Sequence, residues 1–492
     1  MPKFVLLWTD VAMWLLVAAI AAYGVYVSRN PNLRANWIKV FRDPAALASS
    51  VVLVVCLAVT LMDSVHYRAL LPPATGAAPG AAPAYEARVR SVLDAWLADL
   101  VESRERSYSS PLAIVNWTKE SVEVDGGLQR VALRLKYGGA HLKDPADHGP
   151  DVAKSALLGL ALGALAAAVG SALLIGVIAR KRATSWSDAA RSIWRKEGPM
   201  PWHAALYMLW ALALIGGIGT VLSGPYHLLG TDATGQDVLY QAFKSIRTAF
   251  VMGTIATLAT LPLAVVLGIA AGYFKGWVDE VVQYLYTVLS SVPNVLLIAA
   301  VVLMIQTYLD KNPELLETGA ERSDLKLFLL CVVLGVTGWP GLARLLRGDT
   351  LKLRELEYVQ AAQAFGVGAW RIMARHIFPN VAHLMLIVTV LEFSAIILYE
   401  AVLTYVGVGI DPTMNSFGGM INLARSEMAR DPVVWWSFGA AFAFMVTLVL
   451  AANLFADGVR DAFDPRSRSF FRPRRFATLA QKAAPSGEGR QP

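Results

Sequence analysis

Apolar runs about twenty residues long, separated by short charged segments, recur along the whole chain. A bilayer core about 30 Å thick needs roughly 20 apolar residues per spanning helix. Nine stretches meet that length with few charges: approximately 6–27, 48–64, 155–179, 204–223, 247–273, 283–308, 326–346, 382–408 and 433–455. None shows the short alternating segments of a membrane barrel, and lipid offers no partners to backbone N–H and C=O groups, so each is predicted to be helical. The fold class is an all-α polytopic membrane protein with about nine transmembrane helices.

One region breaks the pattern. Between the second and third runs, residues 65–154 are long and mixed in charge. PPATGAAPGAAPA (72–84) has the composition of a flexible linker, AYEARVRSVLDAWLADLVESRER (84–106) places apolar residues at helical spacing, and SVEVDGGLQRVALRLKY (121–137) alternates around a GG turn like a hairpin. These predict a small external α+β module. The chain then divides into two N-terminal helices (1–64), the module (65–154), a third helix with a basic linker (155–200), a six-helix core (201–465) and a basic tail (466–492) expected to be disordered.

Composition agrees with the pattern: 56% of the 492 residues are hydrophobic and 16% charged, where soluble domains carry about a quarter charged residues. Both cysteines, Cys56 and Cys331, fall inside apolar runs far apart in the chain, so neither a disulfide nor a metal site follows from them. The first run lacks a small-residue cleavage site and is taken as retained.

Charge supplies orientation. Positive loops stay in the cytoplasm, and loop 28–47 carries Arg29, Arg34, Lys39 and Arg42, loop 180–203 carries Arg180, Lys181, Arg182, Arg191, Arg195 and Lys196, and loop 347–381 carries Arg347, Lys352, Arg354, Arg371 and Arg375. The segment 309–325 has an excess of acids and falls outside. Parity then puts the N-terminus outside and the C-terminus, with its arginines, in the cytoplasm. The formal charge of +7 is thereby topological, and no nucleic-acid partner is expected.

Within this frame the cytoplasmic stretch 354–379 stands out. It reads as two short amphipathic helical pieces separated at Gly366 and Gly368, with small Ala361 and Ala362 beside Gln360, an apolar side from Trp370, Ile372, Met373 and Ile377, and Pro379 opening the next span. Physics alone permits two readings, a knuckle that docks into a partner's groove and a loop lying on the headgroups. In LLGTDATGQDVLYQAF (228–243), Gly230 and Gly235 permit a tight turn beside Thr231, while Asp232 and Asp237 can cap the following helix. A structural elbow and a substrate contact both fit it. Pro293 and Pro262 remove backbone hydrogen bonds inside spans. Glu392 and Glu400 are costly in lipid and are expected to face the bundle interior or a watery cavity, as pathway or interface groups.

The spacing AA-x3-G-x12-P, at Ala361, Ala362, Gly366 and Pro379, resembles the EAA loop of ABC-transporter permeases. LGTDATGQD (229–237) is similar to the external signature of the dipeptide/oligopeptide subfamily, and 272–293, 405–421 and 453–468 resemble its other segments in order. The resemblance covers about 260 residues. It implies a type I ABC importer core, with 354–379 as the coupling loop that seats in an ATPase subunit. It also implies a heterodimer with a second permease, two ATPase subunits that use ATP and Mg, an extracytoplasmic substrate-binding protein, and peptides as cargo, with nickel chelates or other small solutes as the alternative. Three positions depart from the family pattern: Gln360 for Glu, Gln236 for Arg and Phe378 for Leu. The three N-terminal spans and the external module are unlike the short form of the subfamily.

The chain holds no G-x4-G-K-[ST] loop, so no cofactor or nucleotide is expected on it and hydrolysis is left to partners. H-E-x-x-H, G-x-S-x-G and C-x-x-C patterns are also missing, and the seven histidines form no ligand set. An intramembrane enzyme is therefore disfavoured. An ion-coupled secondary transporter remains the competing class, one that would work without a nucleotide-binding partner.

Overall fold

A computed structural model describes residues 2–71, 85–124, 127–198, 200–316 and 318–463. The expected linker 72–84 and tail 466–492 lie outside the described residues. In chain order the helices are α1 (Trp8–Arg29), α2 (Pro31–Val40), α3 (Pro44–Asp63), α4 (Val92–Trp96), α5 (Ala98–Glu102), α6 (His148–Arg182), α7 (Trp186–Trp194), α8 (Trp202–Leu222) and α9 (Val238–Phe274). They continue with α10 (Gly276–Ser291), α11 (Asn294–Lys311), α12 (Gly319–Arg354), α13 (Glu357–Ala364), α14 (Ala369–Ile372), α15 (Phe378–Val406), α16 (Phe417–Glu427) and α17 (Trp436–Phe463). Among the described residues, nine helices are long and apolar enough to cross a membrane: α1, α3, α6, α8, α9, α11, α12, the continuous helix from α14 through α15, and α17. The chain is a multi-pass, predominantly α-helical membrane protein.

The axis of the fold is the pair α9 and α12, packed along their length. At 37 and 36 residues they are about 55 Å long, well beyond the apolar slab, so their ends project into polar surroundings. Close approach is possible because small residues face backbone: a Cβ on Gly268 would lie 2.7 Å from the Ala343 carbonyl, and one on Gly272 2.8 Å from that of Arg347. The pair α6 and α8 is built the same way, with Gly159 against the Gly217 carbonyl at 2.6 Å. α3 bridges the two pairs by touching α8, α9 and α17.

The span expected at 283–308 is broken. α10 stops at Ser291 and α11 starts at Asn294, with Val292 extended and Pro293 as the N-terminal cap residue. Proline cannot donate the hydrogen bond that would continue α10, and it forces the preceding residue out of helical conformation. Pro293 is thus a break between helices rather than a proline inside one. Pro262 in α9 and Pro340 in α12 do lie within unbroken helices.

The segments with an arginine excess converge at one end. α2 packs on the end of α17, with Trp37 and Phe463 ring centroids 5.5 Å apart, and Arg354 Nη1 donates to the Tyr273 carbonyl at 2.7 Å, joining the ends of α12 and α9. Asp279 on α10 accepts a bidentate pair from Arg347 of α12, at 2.5 and 2.6 Å.

At the opposite end, β1 (Lys3–Val5), β2 (His66–Arg68) and β3 (Arg90–Ser91) form an antiparallel sheet in which Phe4 pairs with Tyr67 and Tyr67 with Arg90. β4 (Glu120–Val124) and β5 (Gly127–Val131) form a separate hairpin. The helical spacing of apolar residues over 84–106 is realised as two short helices, α4 and α5, of five residues each; α4 opens with a capping box between Ser91 and Asp94. Residues 104–118 do not stand apart from the bundle. They are hydrogen-bonded into the loop that precedes α9, as described next.

Candidate functional site

At the basic end α13 is followed by a left-handed glycine. Gly366 has φ +75°, its N–H bonds the Gln363 carbonyl, and Val367 N–H reaches back to the Ala362 carbonyl at 3.1 Å. This is a Schellman closure, in which the residue after the cap needs positive φ and glycine takes it without a Cβ penalty. Gly368 has φ −60° and ψ 144°, a conformation open to any residue, and a Cβ there would meet nothing within 4 Å. The expected separation at two glycines therefore rests on Gly366 alone.

Beyond Gly368 the second piece does not stop before the span. α14 runs through a π-helical turn, Met373–Ile377, directly into α15. Pro379 sits in the first turn of α15, where its missing N–H would disrupt regular i→i−4 bonding, and the wider π turn absorbs the irregularity.

Burial divides this segment into an anchor and a presented surface. Val359, Ile372 and Ile377 are completely buried, with Met373 close behind, in one cluster with Ala264, Val282, Leu342 and Leu346. Facing away, Phe365 is 87% and Trp370 73% exposed, beside exposed Gln360 and Ala361. Trp370 was expected on the same apolar side as Ile372 and Ile377; it points the other way. Gln360 donates through Nε2 to the Glu355 carbonyl at 3.2 Å, which closes the start of its own helix. Two exposed aromatic rings on a rigidly anchored turn are what a groove-docking knuckle requires.

The signature loop at the opposite end has the reverse character. Thr231 and Asp237 are fully buried and Asp232 nearly so. Asp237 caps α9, its Oδ1 accepting from the N–H groups of Leu239 and Tyr240 at 2.8 and 3.2 Å. Its Oδ2 bonds His227 Nδ1 at 2.8 Å. His227 Nε2 in turn faces Glu105 Oε1 at 3.5 Å, within ion-pair range, and Glu105 accepts from the N–H groups of Lys136, Tyr137 and Gly138. Asp232 closes the turn by accepting from Thr234, Gln236 and Gln241. Trp436 Nε1 donates to the Thr231 carbonyl at 3.0 Å.

Gly230 and Gly235 have φ +72° and +73°, and a Cβ on either would overlap the Ser109 or Glu105 carbonyl respectively. Burial alone would raise the Glu105 carboxyl, but His227 and the three N–H donors outweigh it and hold the group at about 2. Burial would likewise lower His227, yet the carboxylates of Asp237 and Glu105 push it up to about 9. The arrangement is a carboxylate–imidazolium–carboxylate chain sealed inside protein. It has the elbow geometry, and its side chains are occupied with one another.

The two intramembrane glutamates part company. Glu400 is 1% exposed; its Oε1 accepts from Thr404 Oγ1 at 2.8 Å, and a Cβ on Gly418 of α16 would lie 2.8 Å from it. Glu392, expected to face the bundle interior or a watery cavity, lies on the exposed surface of the chain. The reason is rotational: eight residues are two turns plus about 80°, so the two side chains leave α15 on different faces.

A buried charge cluster went unrecognised in the sequence reading. Arg247 of α9 donates to Asp10 of α1 at 2.6 Å and faces Asp324 of α12 at 3.5 Å; Thr9 donates to Asp324 as well. One turn away, Lys244 bridges Asp63 of α3 and Asp94 of α4 at 2.6 and 2.9 Å. Asp63, Asp94, Lys244, Arg247 and Asp324 line a cavity of about 320 Å³ together with His66, Arg88, Tyr240 and Asn415. The signal was available, since ionisable residues next to apolar runs are costly unless paired. The pairing was not, because the partners lie 181 residues apart for Lys244 with Asp63 and 237 for Arg247 with Asp10. Among the described residues no group of three or more His, Cys, Asp or Glu is placed to hold a metal ion.

Comparison with known proteins points the same way as the loop at 360–379. Residues 264–469 match the family described as binding-protein-dependent transport system inner membrane component. The oligopeptide transport system permease protein OppC of Mycobacterium tuberculosis (strain ATCC 25618 / H37Rv) is 33% identical over 249 residues, 51% of this chain and 79% of the relative. The glutathione transport system permease protein GsiD of Pectobacterium atrosepticum is 32% identical over 243 residues, 49% of this chain and 74% of the relative. The dipeptide transport system permease protein DppC of Lactococcus lactis subsp. cremoris is 27% identical over 243 residues, 49% of this chain and 64% of the relative.

Proposed function

Because this chain belongs to the family of binding-protein-dependent transport system inner membrane components, we propose that it is the transmembrane permease subunit of an ATP-driven importer of short peptides. Relatives named for oligopeptides, dipeptides and glutathione support the peptide class. The basic end lies in the cytoplasm, by the positive-inside rule, which puts the N-terminus and the β-strands outside. The chain pairs with a second permease and two ATPase subunits, which use ATP and Mg, and receives cargo from an extracytoplasmic binding protein. It carries no catalytic group of its own.

The observation that carries this reading is the exposed Phe365–Trp370 turn on its buried base. Val359 on α13 and Ile372 and Ile377 at the start of the α15 helix sink into the cluster shared by α9, α10 and α12. A displacement of the turn by a closing ATPase dimer is therefore delivered to the bundle rather than absorbed by a slack loop. Alternating access follows if the bundle has two packings of similar free energy, each biased by the nucleotide state of the partner. Glu392, on the exposed face of α15, is then a pathway or inter-subunit group, whereas Glu400 tunes the contact between α15 and α16. Gln360, which removes a charge from the docking surface, calls for an ATPase with a correspondingly less basic groove.

The test is the double variant F365D/W370D in the co-expressed complex. The ATPase recovered with the permease is expected to fall at least tenfold, and ATP-driven uptake of a labelled tripeptide into proteoliposomes to stop, with the thermal midpoint of the permease unchanged. Full ATPase recovery with normal uptake would refute the assignment.

A further inference from the structure

The turn between α6 and α8 presents a surface that neither the bundle packing nor the transport reading uses. α7 folds back onto this hairpin. Ala189 and Ile193 are buried against Ile175, Ile178 and Leu206, and Arg182 Nη1 donates to Ser192 Oγ at 3.3 Å, tying the end of α6 to α7. The helix starts at a Ser185 cap and so has a defined orientation.

Its two tryptophans face outward at either end, Trp186 at 53% and Trp194 at 64% exposure. The Trp186 indole N–H reaches back to the Ala172 carbonyl of α6 at 3.5 Å, and the Trp194 ring meets Tyr207 of α8 at 6.2 Å. Around them residues 180–198 hold six Lys and Arg against two acids. Arg180, Lys181, Arg191, Arg195 and Lys196 are all exposed, and among the described residues Arg191 is the one of this group with an acidic partner, Asp188 at 3.5 Å.

The neighbouring span surfaces decide what covers this face. Leu173 and Val177 of α6 and Tyr207 of α8 are exposed beside it, and on spanning helices such positions meet hydrocarbon. An amphipathic helix at the end of such a hairpin, with aromatic rings at both ends and cations outward, lies at headgroup depth. A protein would complement the charge but would have to replace lipid along both spans. We infer that α7 and its flanking basic residues form a binding surface for the phosphodiester headgroups of anionic phospholipid. The inference does not depend on the transport reading.

The experiment uses the full chain in nanodiscs of phosphatidylcholine alone or mixed equally with phosphatidylglycerol, with native mass spectrometry counting the lipid that stays bound. The wild type is expected to retain phosphatidylglycerol in preference. Each charge removed weakens this about fivefold, so R191Q/R195Q/K196Q loses at least tenfold of the preference and R191K/R195K keeps it. Salt high enough to shorten the Debye length to ~3 Å erases the preference in the wild type, an arm that stands even if the triple variant fails to insert. Equal retention of both lipids by the wild type, or an unchanged preference in the inserted triple variant, overturns the inference. So does loss of a co-purifying protein with lipid preference intact, which would give the face to that protein.

Discussion

The two loops that carry recognisable patterns, 360–379 and 228–241, look alike in sequence and are opposites in physics. Each combines glycines with polar residues beside a spanning helix. The first exposes its largest side chains, Phe365 and Trp370, and is held by apolar anchors on one side only. The second buries most of its polar residues, Thr234 being exposed, and is held from several directions, by Glu105, Ser109 and Trp436 as well as by its own turn. A pattern in a loop can therefore mark a surface offered to a partner or a lock inside the chain. What separates them is whether the side chains find partners within the molecule.

Four tests sharpen the contrast, and the lock should give the larger effects on stability. Gly235→Val is the most severe: positive φ and overlap with the Glu105 carbonyl leave no relaxed solution, and detergent-extracted, monodisperse protein should fall below detection by size-exclusion chromatography. His227→Ala comes next, because it strands two buried carboxylates without their shared cation, at a cost of about 3–5 kcal/mol. The thermal midpoint in detergent should fall accordingly, and a wild-type midpoint would disprove the ion chain.

The third is pH. His227 is held above its unfolded value of 6.5, at about 9, so its contribution is fully present below about pH 6.5 and is lost as pH rises through 9. Glu105, held at about 2 against 4.5, contributes above pH 4.5 and is lost only as pH falls toward 2. Thermal stability should accordingly be highest between roughly pH 4.5 and 6.5 and decline through pH 9, and the decline should be much reduced in a His227→Gln variant.

The smallest effects separate the two glycines of the exposed turn. Gly366→Ala forces a side chain into left-handed backbone at about 1 kcal/mol, whereas Gly368→Ala should stay within about 0.5 kcal/mol. Chemical denaturation reads the stability difference, and ATPase recovery should fall for the first and not for the second. Equal behaviour would mean that the Schellman closure at Gly366 does not set the shape of the docking turn.

Much of the fold was legible because a bilayer imposes a length and a composition on anything that crosses it. The nine apolar runs correspond to nine helices among the described residues, with the interruption at Pro293 as the main departure, since a twenty-residue window averages over a single break. In the candidate site, Gly366 and Pro379 were legible because backbone geometry restricts those residue types locally. The outward turn of Trp370 was not, nor the exposure of Glu392, because which face of a helix is covered depends on neighbours that the local pattern does not name.

By itself the sequence determined which segments form helices long and apolar enough to cross a membrane among the described residues, where the basic segments fall between them, and the family, since these rest on hydropathy, charge and local spacing. Only the tertiary structure decided that Asp237, His227 and Glu105 form one chain, that Arg247 and Lys244 are neutralised by α1, α3, α4 and α12, and that Phe365 and Trp370 remain uncovered. The physical reason is range. Helix formation in an apolar medium is settled within a few turns, whereas the partner of a buried charge can lie hundreds of residues away and is chosen by packing.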